Sequence, residues 1–163
     1  MAGAAPVALE RSTVLAAPAP LVWARVATMD GVNEELAPLV RMTHPAALSS
    51  LTDAGDELMG RVAFHSWLLA GGLLPMDRHA LTLLAVEQRG ELGGGFVEDS
   101  TSWLQARWRH EREVEAVDAR TCRVTDRLVV VPRLRVARPI VASVVPRIFE
   151  HRHRVLRERF GGR

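Results

Sequence analysis

A single pairing register near the C-terminus aligns three opposite-charge pairs, and it constrains the fold more than any other feature of the chain. Residues 104–117 and 121–131 read as an antiparallel hairpin around Asp118-Ala119-Arg120. With Val117 opposite Thr121, Glu115 faces Arg123, Glu111 faces Arg127 and Arg112 faces Asp126. Strand side chains alternate with period two. Arg112 and Asp126 therefore share a face with Leu104, Ala106, Trp108 and Val114 on one strand and Cys122, Val124, Leu128 and Val130 on the other. His110 points the same way. Such a trio on an apolar face is either a structural network inside a core or the polar end of a ligand cavity.

At 163 residues the chain is long enough to bury a core without staples. The reading is a flexible tail over 1–7 followed by one domain over 8–163. The 21 basic residues are all arginine and lie scattered among 19 acids, for a net charge of +2. The pI of 9.8 follows from the high pKa of arginine, so no nucleic-acid surface is expected. One cysteine, Cys122, forbids an internal disulfide and fits a reducing cytoplasm. Met1 to Pro6 shows neither a basic n-region nor an apolar h-region, so no signal peptide is expected. The most apolar run, 67–76, is broken by Gly71-Gly72 and is far short of the roughly 20 residues of a membrane span.

Leu9, Arg11, Thr13 and Leu15 alternate with Glu10, Ser12 and Val14, which predicts a strand. Ala17-Pro18-Ala19-Pro20 ends it and suits the first turn of a helix. Leu21, Val22, Arg25, Val26 and Met29 continue that helix at helical spacing. Asp30 is placed to cap a second short helix reaching Leu36, with Glu34 and Glu35 early in it where the helix dipole favours acids. A strand follows over 39–43, stopped by His44-Pro45. Further strands are predicted at 61–69, 79–88 and 96–101, with turns at 53–56, 71–72, 75–77, 89–90 and 93–95. These short connections favour antiparallel neighbours. Beyond Pro132, Val141, Val145, Ile148, Phe149, Leu156 and Phe160 form the apolar stripe of a long helix ending at Gly161. Pro146 either kinks this helix or marks where its regular part begins. Arg152 lies on the stripe and needs an acid; Glu98 and Asp126 are the candidates.

The chain resembles the helix-grip superfamily of START domains, Bet v 1 proteins and polyketide cyclases, and within it the bacterial SRPBCC-type proteins. The resemblance rests on the order of elements and on Ser12 to Pro18 with Val22-Trp23. It rests also on Trp108-Arg109-His110-Glu111-Arg112, on Asp126-Arg127-Leu128, and on Phe149-Glu150-His151-Arg152-His153 with Leu156. It implies an α+β fold in which a curved antiparallel sheet of about six or seven strands wraps around the long C-terminal helix, with two short helices after the first strand. It also implies a cavity between sheet and helix for a lipid, an aromatic polyketide or a similar apolar molecule. The superfamily offers no single catalytic motif to carry over, and the absence of tyrosine excludes a tyrosine acid.

The candidate ligand contacts are Trp67, Glu98, Trp108, His110, Arg112, Asp126 and Arg152. As ligand groups, Arg112 would hold a carbonyl or anionic oxygen and His110 would move a proton. As structural groups they would fix the hairpin and anchor the helix. Trp108 serves as core or cavity wall, and Trp67 as part of a glycine-hinged lid or as a buried anchor. His151 and His153 are two apart on a helix and diverge. No metal-binding spacing is present, so neither a metal nor another cofactor is expected, and this pair reads as a solvated basic face, with His151 near a cavity rim. Gly93-Gly94-Gly95 lacks the Gly-Lys-Ser/Thr of a phosphate loop and reads as a turn. Cys122 reads as core. Three functions follow. The first is binding of a small apolar or aromatic molecule. The second is a cyclase or dehydratase with His110 as acid or base. The third is an interaction module whose apolar 68–75 loop binds a protein partner, or its own copy to form a homodimer.

Overall fold

The computed structural model describes residues 4–162, so residues 1–3 of the tail expected at 1–7 lie outside the described residues. Seven strands form one antiparallel curved sheet: β1 (Val7–Leu15), β2 (Val40–Met42), β3 (Val62–Ala70), β4 (Leu74–Gln88), β5 (Gly93–Ser102), β6 (Gln105–Ala116) and β7 (Cys122–Pro132). Their spatial order is β1-β7-β6-β5-β4-β3-β2. Two short helices, α1 (Ala19–Val26) and α2 (Met29–Leu36), follow β1, and the long α3 (Arg138–Phe160) closes the chain. This is the helix-grip architecture implied by the order of elements.

The hairpin register is the anticipated one: Arg112 opposes Asp126, Glu111 opposes Arg127 and Glu115 opposes Arg123. The face is also as read from His110 to Val114, but a bulge between Gln105 and Arg107 breaks the alternation, leaving Ala106 exposed. The two outer charge pairs do not close. Arg127 reaches Glu10 and Glu113 instead, and Glu111 takes Arg109. On a solvated face the partner is whichever acid lies along the side chain's own rotamer, and here β1 supplies one.

Three local expectations are corrected. Residues 75–77 are no turn: β4 begins at Leu74, and a register shift against Leu68 and Leu69 accommodates Pro75, whose missing N–H a bulge tolerates. Gly93-Gly94-Gly95 is no turn either but the start of β5, paired with Glu115, Val114 and Glu113. A Cβ on Gly94 would stand 2.4 Å from the Trp23 ring, so the glycine lets α1 press its indole onto the sheet. The N-cap of α2 is Thr28, whose hydroxyl accepts the Gly31 N–H at 3.0 Å, while Asp30 lies in the first turn.

The long helix begins at Arg138 and runs through Pro146, so the proline does not mark its start. The carbonyl that loses its donor belongs to exposed Ala142, where water can reach it. Gly161 ends the helix with φ +74°. Val141, Val145, Phe149 and Leu156 are buried, and the helix packs against β1, β7 and α2. The apolar interior falls into two clusters. One joins α1 and the start of α2 to Leu83, Val114, Val124 and Leu156; the other joins Leu128 and Val130 to Val141, Val145 and Phe149.

Candidate functional site

Along β7, Asp126 sits between Val124 of the first apolar cluster and Leu128 of the second, and it is fully buried. Its two oxygens accept four hydrogen bonds. Arg112 Nε and Nη2 donate at 2.7 and 2.8 Å, His110 Nε2 at 2.7 Å and His153 Nε2 at 2.8 Å. Burial alone would raise the Asp126 pKa; the Arg112 charge and these donors overcome it and hold the carboxyl well below its usual range. The third nitrogen of Arg112, Nη1, donates to Glu35 Oε1 at 2.7 Å. Burial disfavours the Arg112 cation, but Asp126 and Glu35 more than compensate and raise its pKa.

Glu35 is the acid that Arg152 needed: Arg152 Nε donates to Glu35 Oε2 at 2.9 Å. Neither Glu98 nor Asp126 pairs with it. Glu35 lies in the last turn of α2 rather than early in it, so the helix dipole does not favour it there; its side chain turns inward and is only 2% exposed. Burial would raise its pKa, yet Arg112 and Arg152 together hold it below normal. Arg152 is less well compensated. Its guanidinium makes a single hydrogen bond among the described residues, lies over the Phe149 ring at 4.9 Å, and has its pKa lowered by burial.

On the neighbouring strands, His79 Nε2 donates to Glu98 Oε1 at 2.6 Å, and Ser100 Oγ donates to the same oxygen at 2.6 Å. Burial pushes the Glu98 pKa up, but His79 and His110 bring it below normal. Glu98 Oε2 is 3.9 Å from His110 Nδ1. Because both carboxylates remain ionised, the Nε2 of His79 and of His110 must each carry a proton. His110 thus hangs from Asp126 by one nitrogen and turns the other toward Glu98.

Between the sheet and α3 lies a cavity of about 520 Å³. Its walls are mainly apolar, among them Leu36, Leu81, Phe96, Trp108, Val141 and Ile148. Five buried ionisable side chains line it: Asp77, His79, Glu98, His110 and Arg152. Asp77 is occupied with the backbone N–H groups of Arg78 and Leu104. Arg112, Asp126, Glu35 and His153 do not line the cavity; they stand behind His110 and Arg152. Of the residues singled out from sequence, Glu98, Trp108, His110 and Arg152 therefore face one space, and Arg112 and Asp126 brace it. Trp67 stands apart. It is 37% exposed and outside the cavity, edge-on to Trp103 and under Arg78, while its neighbours Ser66 and Leu68 turn inward.

His153 does not belong to a solvated basic face. It is fully buried against Asp126, with Nδ1 lacking a protein partner. The signal was available, since Val145, Phe149 and His153 recur every four residues along the buried side of α3. His79 carried a similar signal, alternating with buried Leu81 and Leu83 along β4; Glu35 carried none, because it meets Arg112 across 77 positions of sequence. Among the described residues no group of three His, Cys, Asp or Glu is arranged to hold a metal ion. Cys122 is buried in the first apolar cluster, and burial pushes its thiol up to about 11, which leaves it unreactive.

The model of one protein family, Domain of unknown function (DUF8410), matches residues 13–160. The chain belongs to the DUF8410 family. Among curated proteins none matches this sequence. Solved structures show that this DUF8410 chain has the START-like helix-grip fold. A START superfamily protein from Mycobacterium smegmatis has a TM-score of 0.62 at 12% identity, covering 94% of this chain and 96% of its own. The Zhui aromatase/cyclase from Streptomyces sp. R1128 has a TM-score of 0.59 at 17% identity, covering 94% and 93%. A Thermobifida fusca protein has a TM-score of 0.62 at 21% identity, covering 95% and 93%. At these identities the likeness establishes the fold of this DUF8410 chain alone, and its interior must speak for its chemistry.

Proposed function

We propose that this DUF8410 protein encloses a small apolar or aromatic molecule bearing a carbonyl or anionic oxygen. The observation that carries this reading is the pairing of an apolar cavity with one buried guanidinium, Arg152, that faces it and makes only one hydrogen bond among the described residues. The volume lies within the roughly 300 to 1,000 Å³ typical of small-molecule sites. A ligand oxygen on Arg152 would supply the partners that the protein withholds, while Trp108 and Phe149 offer aromatic surface. Of the two arginines expected from sequence as ligand contacts, Arg112 is fully engaged by protein, and Arg152 is the ligand cation. A cytoplasmic setting belongs to the same proposal, since the one cysteine is buried and free.

Native mass spectrometry of the purified protein, followed by organic extraction, should reveal a retained molecule, and the anionic aromatic probe 1-anilinonaphthalene-8-sulfonate should bind. Arg152→Met should weaken probe binding by roughly 2 kcal/mol, the value of a charge-assisted hydrogen bond. Filling the cavity with Val141→Trp should abolish it. Unchanged probe affinity in both variants would sink the proposal.

A second reading draws on the hydrogen bond from His110 to Asp126, which fixes one imidazole nitrogen and leaves the other beside the cavity. That geometry suits an acid or base in a cyclase or dehydratase. With a poly-β-ketone substrate, His110→Ala should keep binding and lose turnover; retained turnover would remove the enzyme reading.

A further inference from the structure

Three chain segments at the cavity mouth expose large apolar side chains together with cations and no acid. The turn between β5 and β6 presents Trp103 and Leu104, 61% and 52% exposed. The segment entering α3 presents Leu134, Val136 and Ile140, 66%, 81% and 64% exposed. The β3–β4 hairpin carries Leu73 and Leu74 at its tip, with exposed Met76 at the cavity. These segments are tied together: Trp103 N–H donates to Arg78 O at 3.3 Å, and Arg133 N–H to Leu104 O at 3.0 Å. An exposed cluster of this composition is more than scattered surface apolarity and marks a contact site.

The charges select the partner. Arg78, Arg133, Arg135 and Arg138 are exposed in these segments, whereas residues 132–149 contain no acid and Asp77 is buried on backbone amides. Beside the apolar mouth, and sharing Ser102, Trp103 and Arg133 with it, lies a cleft lined by His65, Arg78 and Thr101. Guanidiniums and hydroxyls in that cleft match a phosphate. A second copy of the same face would bring like charges together, which disfavours self-association through it. Trp103 and the aliphatic residues suit the interface between lipid headgroups and chains.

We infer that this face docks on an anionic phospholipid bilayer, with Leu134, Val136, Ile140 and Trp103 entering the interface and Arg78, Arg133, Arg135 and Arg138 engaging headgroup phosphates. The cavity then opens onto the membrane. No helix among the described residues is long and apolar enough to cross one, so the contact is peripheral. Docking on the outer face is independent of what the cavity holds.

Co-sedimentation with phosphatidylcholine vesicles, with and without phosphatidylglycerol, tests this directly. The protein should bind the anionic vesicles, bind pure phosphatidylcholine far more weakly, and lose affinity as salt rises. Arg78→Gln with Arg135→Gln should weaken binding roughly thirtyfold. Leu134→Ser with Val136→Ser and Ile140→Ser should weaken it at least tenfold, with circular dichroism and melting unchanged because all three side chains are exposed. Arg120→Gln with Arg123→Gln, at the opposite end of the β6–β7 hairpin, should leave it unchanged. Three results would overturn the inference: no binding to anionic vesicles, equal weakening by the Arg120 and Arg123 changes, or a wild-type dimer that the Leu134 variant converts to monomer.

Discussion

The closed region around Asp126 and the cavity-facing region around Arg152 use the same residue types and meet at Glu35 and His110, yet they differ in how completely their polar atoms are paired. Asp126 receives four donors, and Arg112 uses Nε, Nη1 and Nη2 on two carboxylates. Arg152 makes one hydrogen bond beside open space. Leaving a charge buried and unpaired is expensive, so full pairing in the first region marks a structural element that fixes β6, β7, α2 and α3 relative to one another. Incomplete pairing in the second marks a place where something else can contribute. Burying ionic groups thus serves two ends in one interior.

That contrast has measurable consequences. The broadest titrates Asp126, Glu35 and Glu98 together. All three have folded pKa values below normal, so their contribution is present above the unfolded value near 4 and is lost as pH falls through the lowered folded values. Urea denaturation should show this stability falling progressively as pH drops below about 5. Stability that stayed level or rose as pH fell from about 5 to about 2 would mean that these carboxylates are not held ionised by their donors.

Removing Asp126 alone, as Asp126→Ala, should lower stability by roughly 3 to 5 kcal/mol, because Arg112, His110 and His153 lose their acceptor at once. Arg152→Met should be milder, about 1 to 3 kcal/mol in the same assay, since Glu35 keeps Arg112. Equal losses in the two variants would erase the distinction between bracing and ligand-facing groups. At the bottom of the scale, Arg127→Gln should leave the urea midpoint within error, because its contacts with Glu10 and Glu113 are solvated.

Much of the fold was legible in the sequence because its signals are local. Period-two alternation located β1, β6 and β7, the helical stripe located α3, and aligned charges set the hairpin register. The failures are equally specific. Gly94 sits in a strand because Trp23 packs over it, which no turn propensity contains. Arg127 chose Glu10 from β1, a strand brought beside β7 only by long-range antiparallel pairing. At the site, His79, Glu98, Trp108, His110 and Arg152 were within reach of face assignment, whereas Glu35 was not.

By itself, then, the sequence determined which residues share each face: alternation and helical spacing are properties of the backbone and hold before any packing occurs. It determined that Arg112 opposes Asp126, that His110 lies beside them, and that Arg152 lies on the buried stripe. Which cation is satisfied was settled by packing. That outcome depends on α2 delivering Glu35 and α3 delivering His153 to one point, 77 and 27 positions distant from Arg112 and Asp126 respectively. Pairing among buried charges is a competition settled by three-dimensional proximity in a medium of low dielectric, and sequence spacing carries no record of its winner.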